Sequence, residues 1–167
     1  MVWDALNRLR EIHFNNDTPA DESDDVLIAV MLYDCMNRRM RMVLTNNDVA
    51  SGSTDYYFDG WQEVEERDAS DAVLRQYVYG NYIDEVWTLD DRSGGITLEQ
   101  LNDSTGGQRH FYHCNTLYSI YALTDEAGAV AEAYQYNAYG TPTVWNGAGA
   151  DAAFFSDDDV VSATANG

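Results

Sequence analysis

Polar punctuation at near-regular intervals divides this chain into short, apolar-rich stretches. Arg39-Met40-Arg41-Met42 alternates polar and apolar residues, the period of a half-exposed strand. From Ala129 to Tyr136 the same period places Val130, Glu132, Tyr134 and Tyr136 on one face. Ala129, Ala131, Ala133 and Gln135 fall on the other. The longest apolar run, Val26 to Tyr33, fits one buried strand and is too short to span a bilayer. Between the polar breaks, Val, Ile, Leu, Thr and Tyr predominate, as strands prefer. Trp3 to Ile12 contains good helix formers, but Asp4 to Asn7 reads as a turn, so strand is expected there.

The breaks share a chemistry. Asn137-Ala138-Tyr139-Gly140 has Asn first and Gly fourth, as a type I turn prefers. The Asn side chain can accept from the backbone two residues on, and Gly can take positive φ and close a three-residue hairpin with a bulge. The pattern recurs from Asp4 to Asn7, Asp34 to Asn37 and Asp68 to Asp71. It recurs again from Asp91 to Gly94, Asp103 to Gly106 and Asp125 to Gly128. Looser turns are expected at Asn46-Asn47-Asp48, Asp59-Gly60, Gly80-Asn81 and Asn115-Thr116. Turn starts then fall near 34, 46, 59, 68, 80, 91, 103, 115, 125 and 137, in steps of 9 to 13 residues. That spacing predicts an all-β fold, a meander of short antiparallel strands over 1–145. An acidic insert, Asn15 to Asp25 with Pro19, interrupts the rhythm and is expected to be a loop. Pro142 opens a strand, where its missing N–H is tolerable. Residues 146–167, rich in Ala, Asp and Gly, read as a tail or linker.

Charge changes the list of partners. The chain carries 29 Asp and Glu against nine Arg and no Lys, a net charge of −20. Phosphate binding needs a cationic surface, so a nucleic-acid partner is not expected. The excess acid serves solubility and suits a high-salt habitat. No EF-hand spacing is present. Cys35 and Cys114 are too few for a disulfide framework and are expected to be unpaired packing residues. His110 and His113 fall on opposite sides of a strand, so no metal site is expected. The acid pairs at Asp90-Asp91 and Asp157-Asp158-Asp159 read as a turn start and a solvated tail. Gly94-Gly95 and Gly106-Gly107 lie in turns, not at helix starts, so no phosphate loop and no cofactor is expected. No signal peptide is visible at the N-terminus. The 12 Tyr, 4 Trp and 5 Phe could build a carbohydrate-binding face, with Tyr134, Tyr136 and Trp145 as candidates. Packing between strands is the favoured reading of those rings.

Several of these turns, read with their flanks, resemble a known repeat. Trp3-Asp4-Ala5-Leu6-Asn7-Arg8, Tyr33-Asp34-Cys35-Met36-Asn37-Arg38 and Tyr136-Asn137-Ala138-Tyr139-Gly140 are similar to Tyr-Asp-x-x-Gly-Arg. That is the mark of the rearrangement-hotspot (RHS) or YD-repeat family. Ala122 to Val130 followed by Tyr134-Gln135-Tyr136, and Asp55 to Val64 leading to Tyr77-Val78-Tyr79-Gly80, extend the likeness. The resemblance implies a segment of a spiralling β-sheet shell that encloses or presents a C-terminal effector. It implies as partners the remainder of a longer RHS polypeptide and that effector, in a secreted or cell-surface setting. The alternative it allows is a secreted or surface module that binds carbohydrate or protein. The family's later core motif, an Arg- and Tyr-rich stretch ending in Asp-Pro, does not follow Tyr139-Gly140. No catalytic residue is therefore carried over, and the chain is expected not to be an enzyme.

Overall fold

A computed structural model of the chain describes residues 1–14, 25–46, 49–93, 96, 108–147, 154–155 and 160–161. Most of the acidic insert, the turn residues Gly94, Asp103 and Gly106, and Asp157 to Asp159 lie outside the described residues. Regular structure among the described residues is all strand. The strands are β1 (Val2–Trp3), β2 (Leu9–Phe14), β3 (Val26–Tyr33), β4 (Arg39–Asn46), β5 (Val49–Asp59), β6 (Gln62–Asp68) and β7 (Val73–Tyr79). There follow β8 (Val86–Asp91), β9 (Gln108–Cys114), β10 (Ile120–Thr124), β11 (Val130–Tyr136), β12 (Pro142–Gly147) and β13 (Val160–Val161). The expected antiparallel meander is what forms, and Trp3 to Ile12 is strand, turn and strand, not helix.

The chain divides into two compact units, Met1–Arg75 and Gln76–Gly167. The division falls within β7, inside the segment expected as one meander. In the first unit the strands from β1 to β6 pair in chain order. Met31 faces Met42, and Met42 faces Thr54 on the next strand. Among the described residues, Ala29, Met31 and Tyr56 are its buried apolar side chains. Burying a side chain such as Met31 contributes about 1.5–3 kcal/mol. Alternation limits that burial to every second residue, so Ile28 and Leu32 of the same apolar run stay exposed. Glu66 is buried opposite Tyr56, and Arg75 donates to its carboxylate at 2.9 Å. A buried charge needs such a partner.

In the second unit the strands from β8 to β13 also pair in chain order. Leu123 and Ala133 are its buried apolar residues among those described. Trp145 lies opposite Ala133 and meets Phe155 edge-on, with ring centres 5.4 Å apart. Cys35 and Cys114 are unpaired, but both are exposed where packing was expected.

One five-residue turn makes six of the connections. It spans Asp4 to Arg8, Asp34 to Arg38, Asp68 to Ala72, Asn115 to Ser119, Asp125 to Ala129 and Asn137 to Thr141. In each, Oδ1 of the first residue accepts from the N–H groups of the third and fifth at 2.8–3.0 Å. The backbone N–H of the first residue donates to the carbonyl of the fifth at 2.9–3.1 Å. The fourth residue has positive φ: Asn7, Asn37, Asp71 and Tyr118 at 60–68°, Gly128 at 80° and Gly140 at 82°. This is the type I turn with a left-handed residue that a three-residue hairpin uses. The short acid or amide acts as a third strand of hydrogen bonding inside the turn. Asp91 begins the same way, accepting from Ser93 N–H at 2.8 Å.

Candidate functional site

The first unit links its turns through arginine. Arg8 closes its own turn, its Nε donating to Asp4 Oδ2 at 2.7 Å. Its Nη1 then reaches the next turn along the same edge, donating to the Asp34 carbonyl at 3.1 Å and to Asn37 Oδ1 at 3.2 Å. The guanidinium stacks over the Tyr33 ring, 5.0 Å from its centre. Arg38 repeats the scheme: Nε to Asp34 Oδ2 at 2.7 Å, Nη1 to the Gly60 carbonyl, and the guanidinium 4.9 Å over Phe58. Arginine suits this place because one planar group can donate in two directions while stacking on a ring. The aromatic residue before each turn has its own tie. Tyr33 donates its hydroxyl to the Leu9 carbonyl at 2.8 Å. In the second unit Tyr136 makes the equivalent bond to the Ile120 carbonyl at 2.9 Å. Both acceptors are the first residue after the preceding turn on that edge.

These contacts set the acidity of the turn carboxylates. Partial burial pushes Asp34 up, but the Arg38 backbone N–H, the Arg38 side chain and the Met36 N–H together hold it below the usual range. The Ser70 hydroxyl and the Ala72 and Ser70 N–H groups hold Asp68 down. Glu63 moves the other way, raised by burial and by its neighbour Glu66.

The three candidate rings do not share a surface. Tyr134 lies opposite Val144, whereas Trp145 lies opposite Ala133. Directly opposed residues of antiparallel strands share a face, and consecutive residues alternate. Trp145 therefore faces away from Tyr134 and Tyr136. Tyr134 is tied through its hydroxyl to Glu132, and burial followed by that contact raises its pKa. Its face continues across β10 to β9 through Glu132, Leu123 and Tyr112. His110 and Leu89 extend it to β8, where Trp87 stands two residues from Leu89. Sequence reasoning missed Trp87 and Tyr112 because their place on the face of Tyr134 depends on strand register.

Two of the cavities among the described residues of this second unit are lined by ionisable or aromatic side chains. One, of about 360 Å³, is lined by Gln108, Arg109, His110, Asp125 and Glu126. Arg109 is committed there to Asp90, with both bonds at 2.6–2.7 Å, and Asp125 Oδ1 to its own turn. The other, of about 210 Å³, is lined by Glu85, Trp87, Tyr112, Cys114 and Tyr118. His113 lies elsewhere, its Nε2 2.9 Å from Thr124 Oγ1. No group of three or more His, Cys, Asp or Glu suited to a metal occurs among the described residues.

No established family profile matches the chain. It is 27% identical over 144 residues to a tRNA3(Ser)-specific nuclease WapA of Bacillus spizizenii. It is 29% identical to a tRNA nuclease WapA of Bacillus subtilis, and 28% identical to a tRNA(Glu)-specific nuclease WapA of Bacillus subtilis subsp. natto. Each match takes in 85% of the chain but 5% of the relative. The expectation that the chain is not an enzyme is corrected by these matches, because the relatives carry the names of nucleases, which are enzymes. Over most of its length, the chain is similar to a short stretch of the WapA tRNA nucleases of Bacillus.

Proposed function

We propose that the chain is a stretch of RHS/YD-repeat β-wall within a much longer WapA-like tRNA nuclease polypeptide, and that the wall encloses or presents that polypeptide's C-terminal effector. The observation that carries this reading is the turn ladder. Asp4, Arg8, Tyr33, Asp34, Arg38 and Phe58 form a unit in which each turn is bonded to the next. Such a scheme can continue for as many strands as the polypeptide supplies, which suits a wall. Its neighbour-to-neighbour bonds define an edge without needing a second layer of structure. The small number of buried apolar side chains among the described residues agrees with a sheet whose faces meet other parts of a larger protein. A free-standing glycan platform has less support, since Tyr134 and Tyr136 lie on one face and Trp145 on the other.

Limited proteolysis tests the proposal. The longer polypeptide that carries the chain is treated with protease under native conditions, beside its isolated C-terminal region. Co-survival of wall and C-terminal region, with the isolated region digested faster, is expected. Equal digestion rates for the free and attached C-terminal region would sink the enclosing role.

A further inference from the structure

The turn at Asn115 to Ser119 departs from its five counterparts at its fourth residue. Its left-handed residue is Tyr118, with φ of 61°, where the others have Asn, Asp or Gly. A bulky side chain at positive φ is a genuine outlier and is held only where something else requires it. Its fifth residue, Ser119, is small, like Ala72, Ala129 and Thr141 and unlike Arg8 and Arg38. This turn therefore carries no guanidinium to reach along the edge and cap a ring, as Arg8 and Arg38 do.

That departure places Tyr118 at the smaller cavity. Tyr118 stacks on Tyr82, with ring centres 4.7 Å apart and planes 14° from parallel, and lines the cavity with Trp87, Tyr112 and Glu85. Gly80 makes the wall possible. A Cβ there would overlap the Glu85 carboxylate and lie 2.8 Å from Trp87 Nε1. Glu85 is pinned, its Oε2 accepting from Asn81 N–H at 2.8 Å and Tyr82 N–H at 3.2 Å. A fixed carboxylate thus stands beside aromatic faces, the arrangement that receives a cation. Cys114 also lines the cavity, and although the residue is exposed, partial desolvation and then the charge of Glu85 push its thiol up.

We propose that the cavity bounded by Glu85, Trp87, Tyr112 and Tyr118 binds a guanidinium group supplied from outside this unit. The chain's own practice selects the guanidinium. In the first unit Arg8, Arg38, Arg39 and Arg67 each cover an aromatic ring at 4.6–5.0 Å. The second unit has two arginines, and both are engaged elsewhere: Arg109 on Asp90, Arg92 on Gln76 and the Ile96 carbonyl. There is no Lys in the chain. At about 210 Å³ the cavity is below the ~300–1,000 Å³ of whole-ligand pockets, so it takes a head group. The net charge of −20 favours approach of a cation.

The probe is N-acetyl-arginine methylamide, titrated into the 15N-labelled 167-residue chain while the indole N–H resonances are followed. Trp87→Phe assigns the Trp87 signal. The expected result is a saturable shift of that signal, absent with the uncharged citrulline analogue and weakened at least about fivefold by Glu85→Gln. Tyr118→Asn keeps the turn without the ring; it should raise Tm and abolish the shift. No saturable shift, an equal response to citrulline, or an equal response to tetramethylammonium overturns the assignment. So does a Tyr118→Asn variant that binds normally. Methylguanidinium separates the two sources. Tighter binding of the arginine derivative identifies a protein side chain, and equal binding identifies a small guanidinium compound, either of which upholds the site.

Discussion

Asn137→Ala isolates what the turn amide contributes. In the native turn, Asn137 Oδ1 accepts from Tyr139 N–H and Thr141 N–H, both at 2.9 Å. Alanine removes that acceptor and leaves the two backbone bonds, Asn137 N–H to Thr141 carbonyl and Gly140 N–H to Asn137 carbonyl, in place. A hydrogen bond contributes about 0.5–1.5 kcal/mol net, and the turn is exposed, so water replaces part of the loss. Two bonds at the low end of that range give a cost of about 1–2 kcal/mol. For a unit of this size each kcal/mol lowers Tm by roughly 4–8 °C. The assay is a urea melt read by Trp fluorescence, repeated for Asn137→Asp and Gly140→Ala. Asp keeps the acceptor and should stay within about 0.5 kcal/mol of the parent. Gly140→Ala places a Cβ at φ of 82° and should cost about 1–2 kcal/mol. The two costly changes strike one turn, so the double variant should lose less than their sum. An Asn137→Ala variant as stable as the parent, or an Asp variant as damaged as the Ala one, would refute the bonding scheme.

Acid should loosen the turns. Asp4, Asp34, Asp55 and Asp68 are held below the usual carboxylate range when folded, so their stabilisation is full above the unfolded pKa. It is lost as pH falls through the folded values, and thermal melts should show Tm flat near neutrality and falling below about pH 4. Glu63, raised by burial, works in the opposite sense, and Glu63→Gln should therefore steepen the acid loss. Arg38→Lys should lower Tm clearly, since Lys cannot bond Asp34, bond Gly60 and stack on Phe58 together, whereas Arg10→Lys should not. Arg10 is 58% exposed and 3.8 Å from Glu11, which makes it the control in the same melts. Gly80→Ala forces Glu85 and Trp87 apart and should cost about 1–3 kcal/mol by denaturant melt, with the Trp87 indole resonance displaced.

Much of the fold is legible in the sequence because its turns are chemically explicit. Asp34 and Asn37 announce both the acceptor and the left-handed residue three positions on. The expected strand at Val26 to Tyr33 has the bounds of β3. At Asn115 the looser turn expected there forms in the full five-residue geometry, which the sequence conceals because Tyr118 occupies a position that short polar residues or Gly normally mark. The connection from Gly80 to Glu85 is also longer than the Gly80-Asn81 turn expected, being closed by Gly80 N–H donating to the Glu85 carbonyl at 2.7 Å. The candidate rings illustrate the other limit. Tyr134 and Tyr136 share a face by local alternation, but the side taken by Trp145 depends on pairing with β11, which alternation within β12 does not specify. The role of Arg8 and Arg38 is non-local in the same way, since their ring, backbone-carbonyl and side-chain amide partners stand 20 to 29 residues away.

Electron cryo-microscopy of the full polypeptide that carries this chain tests the wall most directly. The account predicts that β1 hydrogen-bonds to a further strand of the same polypeptide, that Arg8 and Arg38 lie along one continuous row of turns, and that the sheet lies against the C-terminal region. A β1 edge left open to solvent, with the C-terminal region detached from these strands, would contradict it.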